Sequence, residues 1–113
     1  MNGAGKRAED LCAELMRGAG LEVLARNWRC RQGEIDLIAR DGATLVFAEV
    51  RLRRDSRFGG AAESVTAAKR SRLVAAARLY LADRPEVDCR FDVLLLDALD
   101  ARRIRWVRDA FGA

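Results

Sequence analysis

The sequence predicts an α/β fold with a mixed central sheet flanked by helices, and three observations lead there. An amphipathic helical period opens the 113-residue chain; two aliphatic runs then meet at Asp41-Gly42; a second helical stretch separates them from the apolar run Val93-Leu94-Leu95-Leu96. Asp-Gly between β-rich runs marks a hairpin, hence an antiparallel pair. A strand, helix, strand crossover implies a parallel pair joined right-handedly, so the sheet must be mixed. The length suits one domain, residues 1–113, with a modest core.

In chain order, Ala8, Leu11, Cys12, Leu15 and Ala19 recur at helical spacing over about residues 4–18, and Gly18 and Gly20 supply the stop. Glu9 lies at the margin of that stripe, beside Met16, whereas Asp10 and Glu14 point away. Residues 21–28 read as a first strand. Trp28, between Arg26 and Arg29, is read as core packing, with Arg29 and Arg31 as phosphate contacts. Residues 53–63 have neither period and end in small residues, so they read as a mobile loop. Arg51, Arg53, Arg54 and Arg57 there form either a strand-guiding arm or a solvated surface. Thr66 is a good N-cap for a helix over about 67–82, with Leu73, Val74, Ala77 and Leu81 inward and Pro85 beyond its end. Lys69 and Arg70 lie in its first turn, where a phosphate can dock. Residues 90–97 read as an interior strand, covered on both faces. After a turn at 98–101, Ile104, Trp106 and Val107 suggest a final strand, with Ala110-Phe111 as the tail.

The organising stretch is the hairpin of residues 32–53. Side chains alternate along a strand, and a hairpin with an even loop pairs residues of opposite parity. A loop at Asp41-Gly42 sets Asp36 opposite Phe47; a four-residue loop sets Asp36 opposite Glu49. Either way Ile35, Leu37 and Ala39 share an apolar face with Val46, Ala48, Val50 and Leu52. The other face gathers Glu34, Asp36 and Glu49 beside Arg51. Such clustering costs Coulomb energy unless something positive sits there. One reading is the solvated face of a hairpin. The other is a hard divalent cation held by Asp36 and Glu49 through oxygen ligands. Leu45 and Phe47 on that face favour the second, because a solvated face has no need of them.

Composition narrows the chemistry. The chain has no histidine, which excludes histidine-dependent triads and histidine metal ligands. Cys12, Cys30 and Cys89 are odd in number and irregularly spaced, so they read as reduced and mostly packed. A net charge of +4 carried mainly by arginine favours a polyanionic partner. No apolar run approaches the roughly 20 residues needed to span a bilayer, and the first residues lead into a charged helix. A cytoplasmic protein with no membrane partner is expected.

The series Gly33-Glu34-Ile35-Asp36-Leu37-Ile38-Ala39 and Val46-Phe47-Ala48-Glu49-Val50-Arg51 resembles the signature of the YraN-like proteins, small bacterial members of the PD-(D/E)xK nuclease superfamily. The resemblance extends over nearly the whole chain, through Ala8-Glu9, Arg26-Asn27-Trp28-Arg29, Ser64-Val65-Thr66 with Lys69, Phe91-Asp92-Val93 and Ala110-Phe111. It implies a restriction-endonuclease-like αβββαβ core. It also implies an endonuclease that uses Mg²⁺ or Mn²⁺ to hydrolyse phosphodiester bonds in DNA, including branched or structured DNA. On this basis Asp36 and Glu49 hold the metal with Glu9 as a further ligand, Glu34 is auxiliary, and Lys69 approaches the site. The motif lysine is replaced by Arg51, which stays charged and cannot act as a general base, yet can clamp the scissile phosphate. The candidate catalytic set is therefore Asp36, Glu49, Arg51 and Glu9. The candidate nucleic-acid contacts are Arg29, Arg31, Arg53, Arg54, Arg57, Lys69 and Arg70. Two alternatives stand beside the nuclease: a nucleic-acid-binding module that has lost catalysis, and an interaction subunit of a DNA-processing assembly. A junction-cutting enzyme is also expected to form a homodimer.

Overall fold

A computed structural model describes residues 3–53, 65–84 and 86–112 of the chain. The proposed arginine loop, including Arg54 and Arg57, therefore lies outside the described residues, as do Ser64 and Pro85.

Each strand follows from a run of β-branched and aliphatic residues, and each helix from a buried stripe. The order is α1 (Gly3–Gly18), β1 (Glu22–Cys30), β2 (Gly33–Asp41), β3 (Thr44–Leu52), α2 (Ala67–Tyr80), β4 (Cys89–Leu96), a short 3₁₀ turn (Ala101–Arg103) and β5 (Ile104–Phe111). The five strands lie side by side in the order β1-β2-β3-β4-β5. Among the described residues only β3 and β4 run parallel, joined through α2; the other pairs are antiparallel. This is the expected αβββαβ core, with β5 added at the edge. The residues read as a tail belong to β5, where Phe111 pairs with Phe91 and stacks on its ring at a centroid distance of 5.1 Å.

The helix boundaries have local causes. Gly20, at φ +94°, lets the chain turn back after α1, so that the Leu21 N–H reaches the Met16 carbonyl at 3.0 Å and Gly20 N–H reaches Arg17 at 2.9 Å. That is a Schellman cap, and a side chain at this φ would be strained. Thr66 caps α2 by accepting from the Lys69 N–H at 3.1 Å.

The sheet has a core on each face. On one, Ala8, Cys12, Ala13 and Met16 of α1 pack on Leu37, Ala39, Val46, Ala48, Leu94 and Leu96. On the other, Leu73, Ala76 and Ala77 of α2 pack with Val65 on Ile38, Leu45, Phe47, Phe91 and Val93. The face that gathers Glu49 and Arg51 is therefore no solvated surface, because α2 covers its neighbours. Within α2 the inward line runs through Ala76, while Val74 and Leu81 are only partly buried. Trp28 packs edge-on against Tyr80 at 5.4 Å, which makes it a core side chain as expected. Of the cysteines, all free, only Cys12 is buried and Cys89 is exposed, so packing holds them less uniformly than expected.

The hairpin register decides where the carboxylates meet. Arg40 pairs with Leu45 and Leu37 with Ala48, the register of the wider loop, but Asp41 and Thr44 pair as well and tighten the turn to Gly42-Ala43. Gly42 takes φ +61° at the first turn position, the requirement of a type II′ hairpin turn. One expectation fails: Ile35 sits in the α2-side core, although strict alternation would place it with Leu37 and Ala39 on the α1 side. The break falls at Asp36. Its neighbour on β1, between the pairs Arg26–Leu37 and Trp28–Ile35, is Asn27, which adopts φ +53° and kinks the edge strand there.

Candidate active site

The β2–β3 ladder ends at Leu37–Ala48, and the next residues, Asp36 and Glu49, occupy the place where the strands part. The Val50 N–H donates to Asp36 Oδ2 at 2.9 Å, so a side chain stands where a ladder carbonyl would otherwise accept. Glu49 is 3% exposed, at the end of the row that begins with Leu45 and Phe47. α2 brings a cation to it: Lys69 Nζ lies 3.5 Å from Glu49 Oε1, and Arg51 Nη1 lies 3.9 Å from the same oxygen. Glu49 Oε2 is buried and has no hydrogen-bond partner among the described residues.

Two carboxylates this close and this dry repel a second negative charge. Burial, then the charge of Glu49, raises the Asp36 pKa to about 7, against the bond from Val50. Burial also raises Glu49, with Lys69 and Arg51 opposing it. Such a pair binds a proton or a cation readily, because either relieves the repulsion. With one orphaned oxygen and hard oxygen donors, the residues fit a divalent cation.

Glu9 is a further buried carboxylate. It is 1% exposed, inside the buried stripe of α1 and not at its margin. Its Oε1 accepts from Arg26 Nε and Asn27 Nδ2, each at 2.9 Å, while its Oε2 has no hydrogen-bond partner among the described residues. Asp10, expected to point away, also bonds Arg26. Among the described residues no three acidic or cysteine side chains form a metal-binding group. Arg26 and Asn27 hold one oxygen of Glu9 and leave the other without a hydrogen-bond partner among the described residues. The charge of Glu9 is close enough to raise the pKa of Asp36, after burial and Glu49. Glu34, opposite Arg29 across β1–β2, contributes in the same sense and lies 3.8 Å from Arg29.

The candidate phosphate contacts divide by position. Lys69 and Arg51 touch the carboxylate pair. Arg29 is largely exposed and Arg31 exposed, at the end of β1 near Glu34. Arg53 continues β3, its N–H donating to the Leu96 carbonyl at 2.7 Å. For Arg70, Nε donates to the Val65 carbonyl at 2.9 Å and the guanidinium lies 5.5 Å from the centre of the Phe111 ring. Asn27 and Arg26 were not singled out as site residues; the available signal was an asparagine inside a strand, a residue type that tolerates positive φ.

These groups collect where the parallel strands β3 and β4 end and α2 begins, the position where open α/β sheets place their ligands. Fold and site together define a small α/β protein with a buried carboxylate pair faced by a lysine and an arginine. The chain belongs to the uncharacterised protein family UPF0102, whose family model matches residues 8–96, in keeping with the YraN-like pattern of its hairpin. It is 51% identical over 109 residues to a UPF0102 protein of Dechloromonas aromatica, covering 96% of this chain and 88% of that protein. It is 49% identical over 113 residues to one of Methylobacillus flagellatus, covering the full length of both. A UPF0102 protein of Ralstonia nicotianae is 56% identical over 114 residues, covering 96% of this chain and 85% of that protein. Among the described residues no helix is long and apolar enough to cross a membrane.

Proposed function

We propose that the protein is an endonuclease dependent on Mg²⁺ or Mn²⁺ that hydrolyses phosphodiester bonds in DNA. The observation that carries this reading is Glu49: 3% exposed, beside Asp36, with one oxygen lacking a hydrogen-bond partner among the described residues and two cations within 4 Å of the other. Asp36 and Glu49 would hold the ion. The ion would supply Lewis-acid stabilisation of phosphoryl charge and lower the pKa of water at neutral pH. The Val50 N–H bond to Asp36 Oδ2 would orient this carboxylate as a ligand. Arg51 cannot abstract a proton, so its role is to grip the scissile phosphate and stabilise its developing charge. Lys69 reaches the same carboxylate from α2 and is placed to orient the attacking water or a phosphate oxygen. A basic chain with no histidine leaves carboxylates and cations to do this work.

The second reading keeps DNA binding and drops cleavage, and Arg51 at the lysine position favours it. Cleavage of single-stranded, duplex, flapped and four-way-junction DNA with Mg²⁺ or Mn²⁺ separates the two. Metal-dependent nicking by the wild type, lost in folded Asp36→Asn and Glu49→Gln, is the expected result. Unchanged DNA binding in all three proteins with no nicking in any would establish the binding module instead.

A further inference from the structure

Beyond the acid pair, β5 carries an arginine that the site as described does not use. The register aligns Arg51 of β3 with Leu95 of β4, and Leu95 with Arg105 of β5. Two strand spacings of about 4.8 Å separate the two arginines across one rung. They share a face. Val107, two residues from Arg105, packs in the α2-side core together with Leu95, whereas Trp106 and Ile104 pack on the α1 side. The neighbouring rung carries Glu49, Val93 and Val107. Arg105 therefore stands one rung beyond the acid row and two strands from it, on the face where Lys69 and Arg51 meet Glu49.

Its condition differs from that of nearby arginines. Arg90 bonds Asp92 and Asp41, Arg102 bonds Asp100, and Arg103 bonds Asp97. Arg108 stacks over the Trp106 ring at 4.1 Å, on the opposite face. Arg105 is exposed, and among the described residues it makes no ion pair. An exposed guanidinium with no internal partner, in line with two cations at a carboxylate pair, is suited to an anion from outside.

We propose that Arg105 binds a backbone phosphate of a nucleic-acid strand that crosses β4 from the Arg51–Lys69 pair toward the β5 edge. This rests on the polyanion-binding part of the proposed function, and the test separates the two. Binding of the full-length wild type, Arg105→Ala, Arg105→Lys and Arg108→Ala to single-stranded and duplex oligonucleotides is measured in EDTA over a range of salt. One phosphate contact contributes about 0.7 to 0.9 to the slope of log affinity against log salt. Arg105→Ala is expected to lose about that much slope and to bind several-fold more weakly, with Arg105→Lys retaining the slope and Arg108→Ala unchanged. Wild-type binding with an equal slope in Arg105→Ala overturns the assignment of Arg105 alone. A wild type that binds neither probe at low salt overturns both this assignment and the DNA reading beneath it. Arg105 is a surface residue, and coincident thermal melts of the four proteins exclude misfolding as the cause.

Discussion

Asp36 is half-buried beside Glu49, and its proton is the residue-scale lever on this protein. Unfolded, an aspartate gives up its proton near pH 4; folded, Asp36 keeps it to about 7. Folding therefore takes up a proton between those values. The stability this group contributes is complete below about pH 4 and is lost as pH rises through about 7. Asp36→Asn removes the charge while an amide oxygen can still accept from Val50. It should stabilise the metal-free protein at pH 8 by on the order of 2 kcal/mol, seen as a higher melting temperature, and change little at pH 4. Equal shifts at both pH values in thermal melts would contradict the linkage. Arg51 offers a second test. Lysine can surrender a proton in such a site where arginine cannot, so Arg51→Lys should speed plasmid nicking about tenfold or more at pH 8 to 9. Asp36, Glu49 and the arginine at 51 were readable from residue type and spacing alone. That Lys69 approaches Glu49 came from the family resemblance alone, since the nineteen intervening residues carry no information about reach.

Among the elements, β4 depends on a buried aspartate for its junction with β5. Asp92, 1% exposed, accepts from Trp106 Nε1 and the Asp109 N–H, both at 2.9 Å, and from Arg90 Nε at 3.1 Å. Arg90 in turn reaches Asp41 at the hairpin turn, at 2.9 Å. The network ties β5 to β4, and β4 to the β2–β3 turn. Removing its centre leaves the Trp106 and Asp109 donors unpaired and a guanidinium short of one partner. Asp92→Ala should therefore cost about 3 to 5 kcal/mol in urea unfolding, with Asp92→Asn costing less because one oxygen still accepts. A loss under 1 kcal/mol would show that the junction is held by apolar packing alone. The sequence marked β4 as an interior strand by its apolar run, but Asp92 looked only like part of a motif. A carboxylate in a strand is ambiguous until the donors opposite it are known, and these come from another strand with its own kink at Asp109, φ +52°.

For the whole molecule, the repelling pair at the end of the parallel strands predicts a coupling between metal and stability. A ligand that binds only the folded chain stabilises by mass action. Millimolar Mg²⁺ should raise the melting temperature of the wild type by several degrees at pH 8, by less at pH 5 where a proton occupies the pair, and not at all in Glu49→Gln. A shift of equal size in Glu49→Gln would place the ion elsewhere. The architecture around this site was largely legible. Period-3.6 stripes, an Asp-Gly pair marking a hairpin though not its exact turn residues, Thr66 as a cap and the glycines after α1 are local signals, because they act through backbone dihedrals and neighbours a few residues apart. So the two helices, the hairpin and the parallel crossover could be read in order, along with the acids on their strands. Three things needed the assembled sheet. The hairpin register, tightened onto Gly42-Ala43, set Asp36 and Glu49 next to one another. The kink at Asn27 moved Ile35 to the other core and left Asp36 in the gap. The packing of α1 on the sheet brought Glu9 to Arg26 and Asn27. Each is a choice between arrangements of nearly equal local energy, and long-range burial and charge pairing decide between them.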